Sequence, residues 1–287
     1  MTRICFLIPY FGRWPFWMPY FVESCRANPG IQWILYSDCG AIPACPENVE
    51  VRPTTFADYC AMVAKKLEIH FAPTSPYKLC DLKPAFGYLH AEDIQDFDFW
   101  GFSDIDLVYG QLREYFSESR LAKHHLFSTH ERRVSGHLCL IRNDEKWNNL
   151  FRQVENWRDA FSNTAHEAFD EDAFTRLFIK RKNWPNVLRQ YLDALNPLRR
   201  DAEFFEAYST PYGRVPWING KKEFPQTWFW RDGILSNDMD AQRTFPYFHF
   251  IGLKGLWPHL MAQTDIPSWD IGPAWKIDRN GFAPLNH

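Results

Sequence analysis

The chain has 287 residues and a mass of 34.0 kDa, with 46% hydrophobic and 23% charged residues, which excludes a largely disordered polymer. Lys and Arg total 32 against 35 Asp and Glu, so the net charge is −3 and a general nucleic-acid binder with a basic excess is excluded too. Aromatic content is unusual: 13 Trp, 12 Tyr and 25 Phe make up 17% of the chain.

The length allows one large domain or two small ones, at roughly 100–200 residues each. No run reaches the roughly 18–20 apolar residues of a spanning helix. The opening MTRICFLIPYFGRWPF has one short apolar run, broken by Pro9, Gly12 and Pro15, and no small-residue cleavage site. A core strand at the start and a cytoplasmic address are therefore expected. The seven cysteines are scattered, with no CxxC pair, so a zinc ribbon or redox motif is not supported.

In chain order, residues 4–11 predict a buried strand and residues 16–28 a helix stopped by Asn28-Pro29-Gly30. Strands come next at 31–39 and at VEVRPTT, then a helix over 56–71. Residues 76–93 predict a loop leading into a helix, with Pro84 near its first turn. Residues 96–110 form an apolar strand running into an acidic turn. Residues 111–122 predict a helix, HLFSTH and GHLCLIRN two strands, and 144–161, 170–181 and 185–200 three more helices. Residues 214–235 predict hairpin material turning at Asn219-Gly220. Residues 247–258 read as a last strand and a Gly-Lys-Gly turn. The alternation predicts an α/β fold with a mainly parallel sheet flanked by helices. A single domain over 1–287, with a C-terminal hairpin-containing elaboration, is the simplest organisation.

Ligands of such sheets bind beyond the carboxyl ends of the strands. There, FWGFSDIDLVYG delivers Asp104 and Asp106, one residue apart, with Ser103 and Tyr109 as supports. At strand spacing both carboxylates project to one side. Held close they repel unless a cation intervenes, and oxygen ligands suit Mg²⁺ or Mn²⁺. A solvated acidic turn is the competing reading. Far along the chain, FHFIGLKGLW offers His249 as a third ligand, Gly252 for close backbone approach and Lys254 for a phosphate. The plainer readings are a satisfied strand histidine and a solvated turn lysine.

DxD followed by this later segment resembles the metal-dependent GT-A glycosyltransferases, above all the retaining glycogenin and lipopolysaccharide galactosyl- and glucosyltransferase type. The resemblance implies a Mn²⁺ (or Mg²⁺) site on Asp104, Asp106 and His249, with Lys254 on the donor diphosphate. The family's HxxGxxKPW spacing is not kept: Lys254 comes one residue early, and Gly255 and Leu256 precede Trp257. Ser135, Gly136 and His137 resemble the turn where the donor sugar lies against the backbone. FDEDAF resembles the start of the DQxxLN segment, which implies Asp170 on sugar hydroxyls and Glu171 at the anomeric carbon, with Asp172 beside it. An acidic helix N-terminus is the competing reading. Tyr10 resembles the base-stacking residue and Asp38 the base or ribose contact. Asp81 and Lys83, in DLKP, resemble the segment near ribose and phosphates. The pattern also resembles uncharacterised bacterial proteins of surface-polysaccharide (O-antigen or capsule) gene clusters.

The resemblance implies a hexosyltransferase using a nucleotide-sugar donor, with UDP as the nucleotide. Residues 1–110 would form the nucleotide half and 111–287 the donor-sugar and acceptor half. The acceptor would be a saccharide, lipid-linked or free. Two readings of Trp217, Trp228 and Trp230 stay open, an acceptor groove and core or hairpin packing; the segment Phe11–Trp17 would lie near the inner membrane face, although basic residues are not concentrated there. Two other classes stay open. A metal-dependent phosphohydrolase or nucleotidyltransferase would use the same DxD. A carbohydrate-binding scaffold would explain the aromatics but not the strand-end Asp, His and Lys residues.

Overall fold

The computed structural model describes residues 1–180, 193, 195–212, 215–263, 266 and 268–285. Its first half builds a sheet by strand–helix alternation. β1 (Ile4–Pro9), β2 (Ile31–Ser37), β3 (Val49–Pro53) and β4 (Phe99–Ser103) lie in the order β3-β2-β1-β4, all parallel. Their apolar runs are buried nearly throughout because helices and loops cover both faces. Helix α1 (Met18–Arg26) joins β1 to β2 and carries a proline in its first turn. Helix α2 (Phe56–Leu67) starts at Thr55, whose hydroxyl accepts from Asp58 N at 3.0 Å, and stops at left-handed Glu68.

Beyond β4 the sheet turns mixed. After β5 (Leu107–Tyr109), β6 (Leu126–Ser128) and β7 (Leu138–Arg142) add antiparallel, and β8 (Ala202–Phe204) closes the edge parallel to β6. A second, antiparallel sheet has the order β10-β9-β12-β13. Its strands are β9 (Trp228–Arg231), β10 (Ile234–Asn237), β12 (Ala274–Asp278) and β13 (Gly281–Pro284). Between them β11 (Tyr247–His249) pairs antiparallel with β5. The expected α/β fold with its mainly parallel sheet and C-terminal hairpin is present.

Several expected elements take another form. The Pro76–Ala85 segment is a 3-10 helix that runs into α3 (Phe86–Leu89). Residues 111–122 divide into Leu112–Tyr115 and Glu118–Leu121. Left-handed Asn156 breaks the helix expected over 144–161. Residues 170–180 are turns with a short 3-10 helix, Thr175–Leu177, because the Thr175 hydroxyl accepts from Val134 N at 2.9 Å and side chains pin the preceding loop; residue 181 lies outside the described residues. Of the helix expected over 185–200, residues 185–192 and 194 lie outside the described residues, and Pro197–Arg200 is helical. Asn219-Gly220 does make a turn, but the hairpin turns at Asp232-Gly233, where both residues have positive φ, as a two-residue primed turn requires. The strands β12 and β13 are additional to the elements expected from the sequence.

The aromatic surplus is mostly core. Trp217, Trp228 and Trp230 are 4%, 0% and 2% exposed, so they line no acceptor groove. Trp228 stacks on Phe248 at 4.4 Å, and Trp230 on Trp275 at 4.7 Å, between the second sheet and the β5–β11 pair. Burying flat apolar faces outweighs exposing them to a ligand. Likewise Phe11, Trp14 and Trp17 point into the core, which corrects the membrane-facing expectation for that segment. Among the described residues no helix is long and apolar enough to cross a membrane.

Candidate metal and nucleotide site

The acidic pair sits just past the carboxyl end of β4. Asp104 N donates to His137 O at 3.0 Å, which ties the turn to the start of β7. Trp17 Nε1 donates to Ile105 O at 2.9 Å from the opposite side. The expected supports are in place: Ser103 Oγ donates to Asp104 O at 2.9 Å and lies 2.5 Å from the Tyr109 hydroxyl. β11 then brings in the third group. His249 is the register partner of Leu107, the residue after Asp106, and Phe250 N donates to Asp106 O at 3.2 Å. Asp104, Asp106 and His249 thus offer one ligand atom each, all within 4.8 Å of one another.

This donor set fits a hard divalent cation. Two carboxylates and one imidazole suit Mn²⁺ or Mg²⁺. Metal bonds of roughly 2.1 Å place opposite ligands about 4.2 Å apart, so only a small closure is needed. His249 Nε2 supplies a second observation: it is buried and has no hydrogen-bond partner. It lies 3.5 Å from Asp106 Oδ2, too far and too poorly aligned to bond. Its Nδ1 lies 3.4 Å from Thr210 Oγ1, which leaves Nε2 as the face toward the carboxylates.

Two lysines stand on the same carboxylates. Lys254 Nζ is 2.5 Å from Asp106 Oδ2, and Lys83 Nζ is 2.6 Å from Asp104 Oδ1 and 2.7 Å from Gly136 O. Burial alone would raise the Asp106 carboxyl, but His249 and then Lys254 outweigh it and hold the group well below the usual range. Burial alone would lower Lys83, but Asp104 and the neighbouring Cys80 and Asp170 outweigh it and keep the ammonium charged. The altered spacing of the late motif therefore still delivers its lysine. Gly252 lies against Tyr212, which a Cβ would approach to 3.2 Å.

The three residues expected to face a sugar divide sharply. Ser135 and His137 are buried, and the Ser135 hydroxyl lies 3.3 Å from His137 Nδ1. The His137 ring stacks behind His249 at 4.2 Å, and its Nε2 lies 2.7 Å from the Tyr247 hydroxyl. Burial, with His249 and His130 nearby, pushes its pKa well down. The Ser135 and His137 side chains thus point inward and fill the layer behind His249, which leaves only the backbone of this turn to face a ligand. Gly136 alone turns toward acidic groups. A Cβ there would come within 2.9 Å of both Asp170 Oδ2 and Glu171 Oε1, so a larger residue would have to displace those carboxylates.

Asp170 and Glu171 reach this place by different means. Asp170 is buried, and burial first, then Glu171, raises its carboxyl to about 7 against the pull of Lys83. Glu171 stays ion-paired: Arg133 Nη1 donates to Oε2 at 3.0 Å, and Gly136 N donates to Oε1 at 3.4 Å. Asp172 pairs instead with Arg176 at the surface, which does not favour it as an acid or base. At the other end, Tyr10 stacks on Trp14 at 5.7 Å, and its hydroxyl is pushed up to about 12 by burial, Cys39 and Asp106. Asp38 Oδ1 accepts from Gly12 N at 2.7 Å and so shapes the loop after β1. Asp81 corrects the expectation of a ribose contact: it is fully buried and bonded to the 167–169 loop.

Residues 6–264 match the model of a family of unknown function (DUF6625). The chain belongs to that family. No curated protein matches it. Among solved structures it is similar to apo mouse xyloside xylosyltransferase 1, with 10% identity, 74% of this chain and 87% of that chain covered, and a TM-score of 0.43. It is similar also to the galactosyltransferase LgtC in complex with donor and acceptor sugar analogs, with 13% identity, 74% and 90% covered, and a TM-score of 0.35. The glycosyltransferase GlyE of Streptococcus pneumoniae TIGR4 shows 12% identity, 72% and 45% covered, and a TM-score of 0.31.

Sequence reasoning missed four contributors to this DUF6625 site. Thr210 backs His249, and Arg133 holds Glu171. Further out, Lys78 pairs with Asp81, and His130 contacts Glu206 and lies edge-on to the His137 ring. Lys78 had a signal, its i,i+3 spacing to Asp81 within one segment. Thr210, Arg133 and His130 had none, since each comes from a loop distant in sequence from its partner.

Proposed function

We propose that the protein is a metal-dependent GT-A glycosyltransferase that moves a hexose from a nucleotide-diphosphate sugar, with UDP as the nucleotide, to a saccharide acceptor. The observation that carries this reading is the meeting of Asp104, Asp106 and the unpartnered His249 Nε2 with two lysines at the end of a parallel strand. A phosphohydrolase would place a nucleophile or a base for water beside the pair, whereas the groups that touch these carboxylates are cationic lysines. Buried Trp residues weaken the scaffold alternative.

In this reading Asp104, Asp106 and His249 hold a divalent ion, which when bound supplies a Lewis acid for the leaving diphosphate. Lys254 and Lys83, released from the carboxylates, place two further positive charges on the phosphates. Tyr10, beside Asp38, receives the base. Asp170 accepts hydrogen bonds from donor-sugar hydroxyls across Gly136. Glu171, paired with Arg133, stabilises positive charge at the anomeric carbon. Retention is the course that the resemblance to the retaining type implies, with Arg133 and Gly136 N holding Glu171 beside the sugar. The chain acts as one unit, residues 1–110 carrying nucleotide recognition and 111–287 sugar and acceptor recognition. A bacterial surface polysaccharide, with a lipid-linked acceptor at the cytoplasmic membrane face, is the setting that the resemblance suggests.

The test is thermal stabilisation by a panel of nucleotides and nucleotide sugars, each with and without Mn²⁺. Saturation at about 100 times Kd adds roughly 2.7 kcal/mol of stability. A Mn²⁺-dependent shift with UDP or one UDP-sugar, absent in Asp106→Ala, is expected. No shift with any nucleotide would overturn the reading.

A further inference from the structure

We infer that Asp81, with Lys78, is a positioning residue for the sugar side of this site, an inference that rests on the nucleotide-sugar reading above. The pair is the most completely buried ion pair in the described residues, at 1% and 0% side-chain exposure, with Lys78 Nζ 2.8 Å from Asp81 Oδ2. A buried pair of this kind adds little to stability over an apolar pair of the same shape, so its bonding pattern is the better guide to its role.

That pattern points at one loop. Asp81 Oδ2 also accepts from Glu167 N, and Oδ1 accepts from Phe169 N, each at 2.9 Å. The His166 ring nitrogen Nδ1 stands 3.0 Å from Oδ1 without hydrogen-bond alignment. Lys78 Nζ donates its other two protons to Ala160 O and Ala165 O, each at 2.7 Å. Two side chains thus fasten four backbone atoms between residues 160 and 169. The next two residues are Asp170 and Glu171, whose carboxylates crowd Gly136.

The same short segment also carries Lys83, two residues after Asp81. Lys83 bonds Asp104 on the metal side and Gly136 O under the two carboxylates. One 3-10 helix, Pro76–Ala85, therefore sets the distance between the metal ligands and the sugar-facing acids. At three residues per turn the Asp81 and Lys83 side chains leave the axis about 120° apart. The tighter turn, with Lys78 and Asp81 eclipsed at i,i+3, lets one segment serve both sides.

The test separates nucleotide binding from sugar recognition. UDP with Mn²⁺, and the UDP-sugar that stabilises the wild type best, are titrated calorimetrically into wild type and Asp81→Asn. UDP binding is expected within about threefold of wild type. The preference for the UDP-sugar over UDP, and its slow hydrolysis, should fall by about 10²-fold, the loss typical of an ångström-scale misplacement. Faster hydrogen exchange at the amides of Glu167 and Phe169 should accompany it. Should Asp81→Asn fail to fold, Lys78→Met/Asp81→Asn removes both buried charges together and is read in the same way. Unchanged sugar preference with either folded variant overturns this inference alone. Equal loss of UDP and UDP-sugar binding makes the pair merely structural and overturns it too. Absence of UDP binding in the wild type overturns the nucleotide-sugar reading itself.

Discussion

Lys254 Nζ stands 2.5 Å from Asp106 Oδ2, the oxygen that also faces His249 Nε2. A cation that binds Asp106 must share or displace that lysine, and the freed ammonium is then available to an anion. Lys254→Ala is therefore expected to weaken nucleoside diphosphate binding by roughly 10–100-fold, the loss of one charge-assisted contact. Mn²⁺ binding measured without nucleotide should not weaken. A parallel loss of both in calorimetry would contradict the division of labour between lysine and metal ligands.

Thr210 supports His249 from behind. Outer partners of ligating histidines typically contribute 10–100-fold in metal affinity. At 3.4 Å the Thr210 contact is long, so Thr210→Val is expected to lower Mn²⁺ affinity by about tenfold, and Thr210→Ser to restore it. Electron paramagnetic resonance of free Mn²⁺ reads both.

Asp170 makes stability and binding depend on pH in opposite senses. Its carboxyl titrates near 7 in the fold, above the usual Asp value, chiefly through burial. A raised carboxyl pKa favours the protonated folded state, so its contribution is full below about pH 4 and declines as pH rises toward 7. Asp170→Asn should therefore be more stable than wild type at pH 8. If the carboxylate accepts sugar hydroxyls, UDP-sugar preference over UDP should rise through pH 7 in wild type and stay flat in the variant.

His137 and His90 work the other way on the acid side. Burial lowers both imidazoles, His137 strongly. A lowered histidine pKa favours the neutral folded state, so stability is fully present above the unfolded value of about 6.5 and is lost as pH falls below it. The slope is at most about 1.4 kcal/mol per pH unit for each group. Urea unfolding at pH 7 and pH 5 should show the loss, and His137→Gln should reduce it. A pH-independent midpoint between these values would count against buried neutral imidazoles.

Trp228 separates core from site. Trp228→Ala is expected to cost about 3–5 kcal/mol of stability in denaturant unfolding. Any variant that still folds should keep UDP affinity within about twofold. A selective loss of acceptor binding would restore the groove reading.

Much of the architecture was legible in the chain because it is local. Apolar runs of strand length, the turn at Asn28-Pro29-Gly30 and the helical stretch from residue 56 marked β1, β2 and α2 within a few residues. Asp104, Asp106, His249, Lys83 and Lys254 were each placed at a strand end or glycine turn or in the DLKP segment, and the fold gathers them. Over 170–180 the expected helix gives way to turns because Thr175 and Asp81 bind the backbone from outside, which no local periodicity records.

The sequence by itself determined the strand–helix alternation, the acidic pair and the distant His-Gly-Lys segment, since these depend on neighbours in the chain. Only the tertiary structure decided which polar residues face the site. His137 and Ser135 turned inward, Asp81 became a clamp, and three tryptophans became core, because burial is settled by what packs across from a side chain. Those partners, from Tyr247 against His137 to Phe169 against Asp81, are supplied by segments far away in sequence.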